Sequence, residues 1–234
     1  MSTSSAVRPH AESAASAALH VAAAVTAFGV VHSLLASRRA KRLVERVFGE
    51  RPARGGYRAA YNGVAVAMSA GLVAYVVRHR GPVVYALRGP AALLVRAGQL
   101  ASVGVMVRAS VAAGFPGLSG IGPVRSWRAG DPLRPMPDSQ GPAERAPGDF
   151  TPTGAFLRTR NPLNFYAVPV LWLAPRATAG RVTLNAVATM YLLLGSWHAN
   201  TMLAARHGEA WRPYARRVPL FVPRLLPSTG PEVP

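Results

Sequence analysis

Four groups of polar residues stand at the ends of long uncharged stretches, and any chemistry must come from them. The run Arg158-Thr159-Arg160-Asn161-Pro162-Leu163-Asn164-Phe165-Tyr166 opens one stretch. Pro162 suits a helix start, where no N–H donor is needed. Two arginines ahead of that start make an anion site from guanidinium forks and free backbone amides. Asn164 then carries an amide into the apolar run. His32-Ser33-Leu34-Leu35-Ala36-Ser37 closes another stretch, followed by Arg38, Arg39 and Lys41. His32 is either an interfacial residue beside basic anchors or a polar group at the floor of a pocket. Tyr57-Arg58-Ala59-Ala60-Tyr61-Asn62 opens a third stretch. Tyr57 and Tyr61 are i,i+4, as are Arg58 and Asn62, which makes two adjacent stripes. An aromatic belt would explain the tyrosines, but Asn62, one turn inside the membrane, needs a partner. The fourth group, Trp197-His198-Ala199-Asn200, ends the last stretch. Leu203, Arg206-His207-Gly208, Trp211, Tyr214, Arg216-Arg217-Val218-Pro219 and Pro223 follow it.

The elements that must position these groups are membrane helices. The chain has 234 residues and is 50% apolar but only 15% charged, against about 25% charged in ordinary globular proteins. Ser13–Ser37, Ala59–Val77 and Val182–Ala205 carry no Asp, Glu, Lys or Arg over 25, 19 and 24 residues. Each can cross a hydrocarbon core that needs about 20 helical residues. Ala91–Ala113 reads as a further span interrupted by Arg96 and Arg108, both able to snorkel. Asn161–Pro175 is short and holds three prolines, so a kinked or half-crossing helix is expected, paired with the last span as a hairpin. The uncharged run at the N-terminus exceeds the length of a signal-peptide core, which favours an uncleaved span.

The expected fold is therefore all-α: a polytopic membrane protein of about five transmembrane helices, with a helical hairpin and an amphipathic C-terminal tail. Residues 1–113 hold helices one to three. Residues 114–153, rich in Pro and Gly, read as an irregular loop. Residues 154–225 hold the hairpin and tail, and 226–234 read as a disordered end. Net charge is +18, with 19 Lys/Arg on one side of this topology and 6 on the other. The positive-inside rule places the C-terminus in the cytoplasm of a bacterial-type inner membrane.

Several function classes drop out. With no Cys there are no disulfides, thiol nucleophiles or Cys-based metal sites. No metal site is expected. The charge is segregated between apolar runs, so the partner is a lipid bilayer and not nucleic acid. Gly120-Ile121-Gly122-Pro123 lacks the third glycine and the strand of a dinucleotide fingerprint, and no P-loop, H-E-x-x-H or G-x-S-x-G occurs.

Taken together, Gly154-Ala155-Phe156, Arg160-Asn161-Pro162-Leu163-Asn164, Leu203, Gly208, Trp211, Tyr214, Val218-Pro219 and Pro223 resemble the integral-membrane methyltransferases of the isoprenylcysteine carboxyl methyltransferase family. The N-terminal groups around His32 and Tyr57 look like the branch holding methanethiol S-methyltransferases and NnrU-like proteins. The resemblance implies S-adenosylmethionine as methyl donor and a small or lipophilic thiol or carboxylate as acceptor. It implies catalytic roles for His32, Arg58 and Asn200, and cofactor contacts from Arg160, Asn161, Asn164, His198, Trp211 and Tyr214. Tyr57, Tyr61, Asn62 and Arg216 would meet the acceptor. Two departures stand out. The family's R-H-P appears as Arg160-Asn161-Pro162, and its acidic pair before Leu203 appears as Ala199 and Asn200. Two alternatives remain open. One is a haem-binding or isomerase protein of the NnrU kind using His20, His32 or His198, and the other is a catalytically silent membrane scaffold.

Overall fold

A computed structural model describes residues 12–134, 136, 139–144 and 150–224. The expected tail at 226–234 lies outside the described residues. The fold is all-α, with one two-stranded ribbon. Helix α1 (Ala14–Ala36) starts on Ser13, whose side chain accepts from the Ser16 amide. It ends at Ser37, which also caps α2 (Arg38–Phe48) by accepting from Ala40 N. One serine thus turns the chain from a spanning helix into a surface helix. In α2 the apolar Leu43, Val47 and Phe48 are exposed beside Arg38, Arg39, Lys41, Arg42 and Arg46. That is the make-up of a helix lying in a membrane interface. Helix α3 (Glu50–Arg78) runs back antiparallel to α1. It begins seven residues before Tyr57, inside what the charge pattern marks as a basic connection.

Helix α4 (Gly89–Ala112) follows the strand β1 (Val83–Ala86). Then come two short helices, α5 (Phe115–Ser119) and α6 (Ile121–Ala129). Their segment was expected to be irregular. Its glycines start and stop helices instead: Gly114, Gly120 and Gly130 all have positive φ, which glycine adopts without strain. At Gly120 a Cβ would stand 2.6 Å from Ala59 N, so α5–α6 can lie on α3 only with glycine there.

Helix α7 (Pro162–Trp172) starts with Pro162 in its first turn, as expected. Its 11 residues rise about 16 Å, half a hydrocarbon core. A helix ending at that depth leaves carbonyls that must be paired inside the protein. Gln99 Nε2 donates to Val170 O at 2.6 Å, and Asn185 Nδ2 to Leu171 O at 3.0 Å. Tyr85 Oη donates to Trp172 O at 3.3 Å. The strand β2 (Arg176–Thr178) pairs antiparallel with β1 and leads into α8 (Ala179–His207). A short turn and α9 (Trp211–Arg217) complete the chain. Gly208 caps α8 with positive φ.

Helix α1 packs between α3 and α8, and α7 between α4 and α8. Three helices, α1, α3 and α4, are long and apolar enough to cross a membrane. Helix α7, expected to be short and kinked or half-crossing, has 11 residues with Pro169 inside and is too short to cross alone. Helix α8 has the length but is less apolar, since it carries Arg181, Asn185, His198 and Asn200. Leu93 and Leu94 on α4 are 73% and 75% exposed, and Leu19, Val66 and Leu100 are exposed on the outer faces of α1, α3 and α4. In a bilayer those faces meet lipid.

Candidate active site

Where α1 ends and α3, α7 and α8 converge, a cavity of about 260 Å³ opens. His32, Tyr57, Arg58, Tyr61, Arg160, Asn161, Asn164, His198 and Ala199 line it. Nine residues singled out from sequence, Ala199 among them as a departure, therefore meet in one place, from four separate stretches of chain.

The two stripes on α3 face different neighbours. The tyrosine stripe faces α1: Tyr61 Oη lies 2.6 Å from His32 Nε2, and Tyr57 Oη donates to Leu35 O. The other stripe faces α5. Arg58 Nε donates to Leu118 O at 2.9 Å, and Asn62 Nδ2 donates to Leu118 O and Ser119 O at 3.0 and 2.8 Å. Asn62 thus has its partner, but it holds the α5 carbonyl end and does not line the cavity. The Arg58 guanidinium also lies 5.6 Å from the Tyr61 ring centre, within cation–π range.

Arg160 reaches the cavity from the other side. Its Nη1 donates to Asn200 Oδ1, so the amide that replaces the family's carboxylate is its partner. Arg160 Nε is buried without a hydrogen-bond partner, and no carboxylate among the described residues pairs with this guanidinium. Partial burial pushes it below the ordinary arginine range. A half-buried cation with a spare donor is a ready anion site. Arg158, expected to share this role, is exposed and does not line the cavity.

The tail explains how Arg160 is aimed. Arg160 N donates to Pro219 O at 2.9 Å, Asn161 Nδ2 to Leu220 O at 3.0 Å, and Thr159 Oγ1 to Phe221 O at 2.8 Å. The Val218–Pro223 segment is thus laid along residues 158–161. Trp211, Tyr214, Val218 and Leu203 form a buried cluster behind it. Tyr214 Oη donates to Phe156 O at 2.8 Å, and burial raises this phenol well above its ordinary pKa. Trp211 and Tyr214 were expected at the cofactor. Their side chains are packed into this core and line no part of the cavity, so the fixed spacing records packing. Arg216, expected at the acceptor, is exposed on the outer side of α9. Asn161, in the place of the family's histidine, spends its amide on the tail.

Sequence reasoning missed Tyr191, which lines the cavity and hydrogen-bonds Ser33 at 2.9 Å. Gly29 on α1 makes room for its ring, since a Cβ there would stand 3.1 Å from Tyr191 Cδ2. It also missed Ser196, which accepts from Asn164 Nδ2 at 2.9 Å. A second cavity, about 560 Å³, adjoins the first and shares Arg58, Met136, Ser139 and Gln140 with it. Glu144, Arg206 and His207 line its far side, with Arg206 Nε 2.7 Å from a Glu144 oxygen. Of the histidines considered as haem ligands, His32 and His198 line the first cavity. His20 sits twelve residues before His32, about 18 Å away along α1.

A multi-helix membrane protein with a polar cavity at the helix ends is the class that fold and site define. The comparisons with known proteins narrow it. The chain is 25% identical over 95 residues to a methanethiol S-methyltransferase of Pseudomonas deceptionensis, covering 41% of this chain and 36% of that protein. It is 35% identical over 67 residues, 29% of the chain and 26% of the relative, to methanethiol S-methyltransferase 2 of Bradyrhizobium diazoefficiens. A Crocosphaera subtropica methanethiol S-methyltransferase is 30% identical over 80 residues, 34% of the chain and 31% of the relative. The matched stretches thus span only about a quarter to a third of these relatives' lengths. No family model and no solved structure matches. Part of the chain is thus similar to methanethiol S-methyltransferases, in keeping with the resemblance read from its motifs.

Proposed function

We propose that this protein transfers a methyl group from S-adenosylmethionine to a small thiol at the cavity between α1, α3, α7 and α8. The observation that carries the reading is Arg160, a half-buried cation with an unpaired Nε, facing His32, Tyr61 and Arg58 across one small cavity. Arg160 would hold the donor's carboxylate, with Asn200 fixing the guanidinium plane. The donor supplies an electrophilic methyl group when bound. At about 260 Å³ the first cavity lies below the roughly 300–1,000 Å³ of ligand pockets, and the adjoining space of about 560 Å³ lies within it. A nucleoside donor with a small acceptor therefore needs both spaces, which meet at Arg58, Met136, Ser139 and Gln140.

Methyl transfer is an in-line displacement that depends on alignment and water exclusion. A thiol acceptor must first lose its proton, and His32 is placed to take it, oriented by Tyr61 Oη. Arg58 stabilises the thiolate. The sulfur then forms its bond to the methyl carbon as the donor's carbon–sulfonium bond breaks, giving a thioether and S-adenosylhomocysteine. Neither step uses a carboxylate base, so Ala199 and Asn200 are compatible with activity. The cavity end is the cytoplasmic end in this reading, supported by the 19-to-6 split of Lys/Arg. The test is methyl transfer from radiolabelled S-adenosylmethionine by the purified full chain in detergent, against methanethiol, longer alkyl thiols and carboxylates. Labelled thioether from the thiols is expected. Labelled ester alone, or no product with any acceptor, would overturn the proposal.

A further inference from the structure

At the opposite end of the molecule, three ligand-type side chains converge that the methyl-transfer site does not use. Glu12 stands just before the α1 cap, His20 lies in the second turn of α1, and His79 caps α3. Glu12 Oε1 is 3.1 Å from His20 Nδ1 and 3.0 Å from His79 Nδ1. The three donor atoms lie within 4.8 Å of one another. The two imidazole rings lie 4.6 Å apart between centres, tilted by 49°.

We propose that Glu12, His20 and His79 form a binding site for a divalent transition-metal cation of the zinc or copper type. Two donors, each about 2.0–2.1 Å from one cation, stand roughly 2.9 Å apart at a right angle and about 3.4 Å apart in a tetrahedron. The observed 3.0 and 3.1 Å fall between these values, so an ion fits between Glu12 and either imidazole, each ring keeping its one proton on Nε2. Two imidazoles and one carboxylate select borderline cations over magnesium or calcium, which take oxygen ligands. With both rings neutral, the set offers one negative charge to the ion.

The site is held in place before any ion arrives. The His79 amide is fixed to Tyr75 O at 2.9 Å, and its ring packs on Tyr75 with centres 4.4 Å apart. Gly180 at the start of α8 abuts the His79 carbonyl so closely that a Cβ would stand 2.4 Å from it. His20 is nearly half exposed, which leaves an aqueous route and open coordination positions for water. Chain economy points the same way. Only 9 of 234 residues are acidic, and one of them is shared between two of the six histidines. A cation here would clasp the first turns of α1 to the end of α3.

The test uses the untagged full chain in detergent, stripped with chelator, and titrated with Zn²⁺ by calorimetry and with Cu²⁺ by electron paramagnetic resonance. One equivalent of Zn²⁺ should bind. Glu12→Gln, His20→Gln and His79→Gln, which keep hydrogen-bonding side chains, should each weaken it at least about tenfold, the lower end of the loss when even a supporting partner of a metal ligand is removed. His198→Ala should not. The Cu²⁺ spectrum should show coupling to two nitrogens, falling to one in His20→Gln. Absence of stoichiometric binding would reduce the cluster to a hydrogen-bonded clasp and overturn the proposal. Binding unchanged in all three variants, in samples that remain monodisperse, would overturn it equally.

Discussion

Replacing Arg160 by alanine isolates the anion site from the fold. The side chain is tied to the protein by a hydrogen bond from Nη1 to Asn200 Oδ1, and its Nε is buried without a partner. The tail depends on the backbone instead: Arg160 N to Pro219 O, Asn161 to Leu220 O and Thr159 to Phe221 O all survive the substitution. The variant should therefore fold with its C-terminal segment docked. What it loses is a charged donor to the ligand's carboxylate. A hydrogen bond to a charged group contributes about 1.5–3 kcal/mol, so S-adenosylmethionine should bind roughly 10- to 150-fold more weakly. Asn200→Ala removes only the group that orients the guanidinium and should cost less, about 0.5–1.5 kcal/mol. Calorimetry in detergent measures both, with circular dichroism and size-exclusion chromatography confirming the fold. Equal affinity in a folded Arg160→Ala protein would refute the role given to this residue. So would a larger loss in Asn200→Ala than in Arg160→Ala.

Tyr61→Phe removes the hydroxyl that orients His32 and should lower the rate with thiol acceptors about tenfold, roughly 1.4 kcal/mol, while leaving donor affinity unchanged; steady-state kinetics at saturating donor checks it. Gly120→Ala would drive a Cβ to 2.6 Å from the α3 backbone at positive φ, so it should destabilise the protein by about 1–3 kcal/mol, read as a lowered unfolding temperature. Burial pushes the His207 imidazole below the ordinary histidine range, with Glu144 opposing it. The unfolded chain therefore takes up that proton first as pH falls, and stability should decline from about pH 6.5 downward. His207→Gln should flatten that decline in a thermal scan. Reporter fusions active only in the cytoplasm should give signal at the C-terminus and none at the N-terminus.

How much of this was legible in the sequence depends on the kind of signal. An amide or imidazole inside an apolar run needs a partner, so His32, Asn62, Asn164 and Asn200 announced themselves, and each has one. Pro162 and Gly208 marked helix ends through their backbone preferences. Aromatic residues carry no such instruction. Trp211 and Tyr214 fit a ligand wall and a core equally well, and only the packing against Leu203 and Val218 decides. The α5–α6 segment was hidden by its glycines and prolines, which stop helices in most settings but here start them. In α2 the density of arginines hid the amphipathic pattern of Leu43, Val47 and Phe48. Glu12, His20 and His79 share no spacing motif, because the antiparallel run of α1 and α3 brings together residues as much as 67 positions apart.

A structure determined with S-adenosylhomocysteine bound, in lipid, tests the central claim most directly. The account predicts density for its carboxylate at the Arg160 guanidinium, with the sulfur facing His32 and Tyr61 and the nucleoside reaching past Met136 and Gln140. Density confined to the space beside Glu144, Arg206 and His207, with no contact to Arg160, would contradict it.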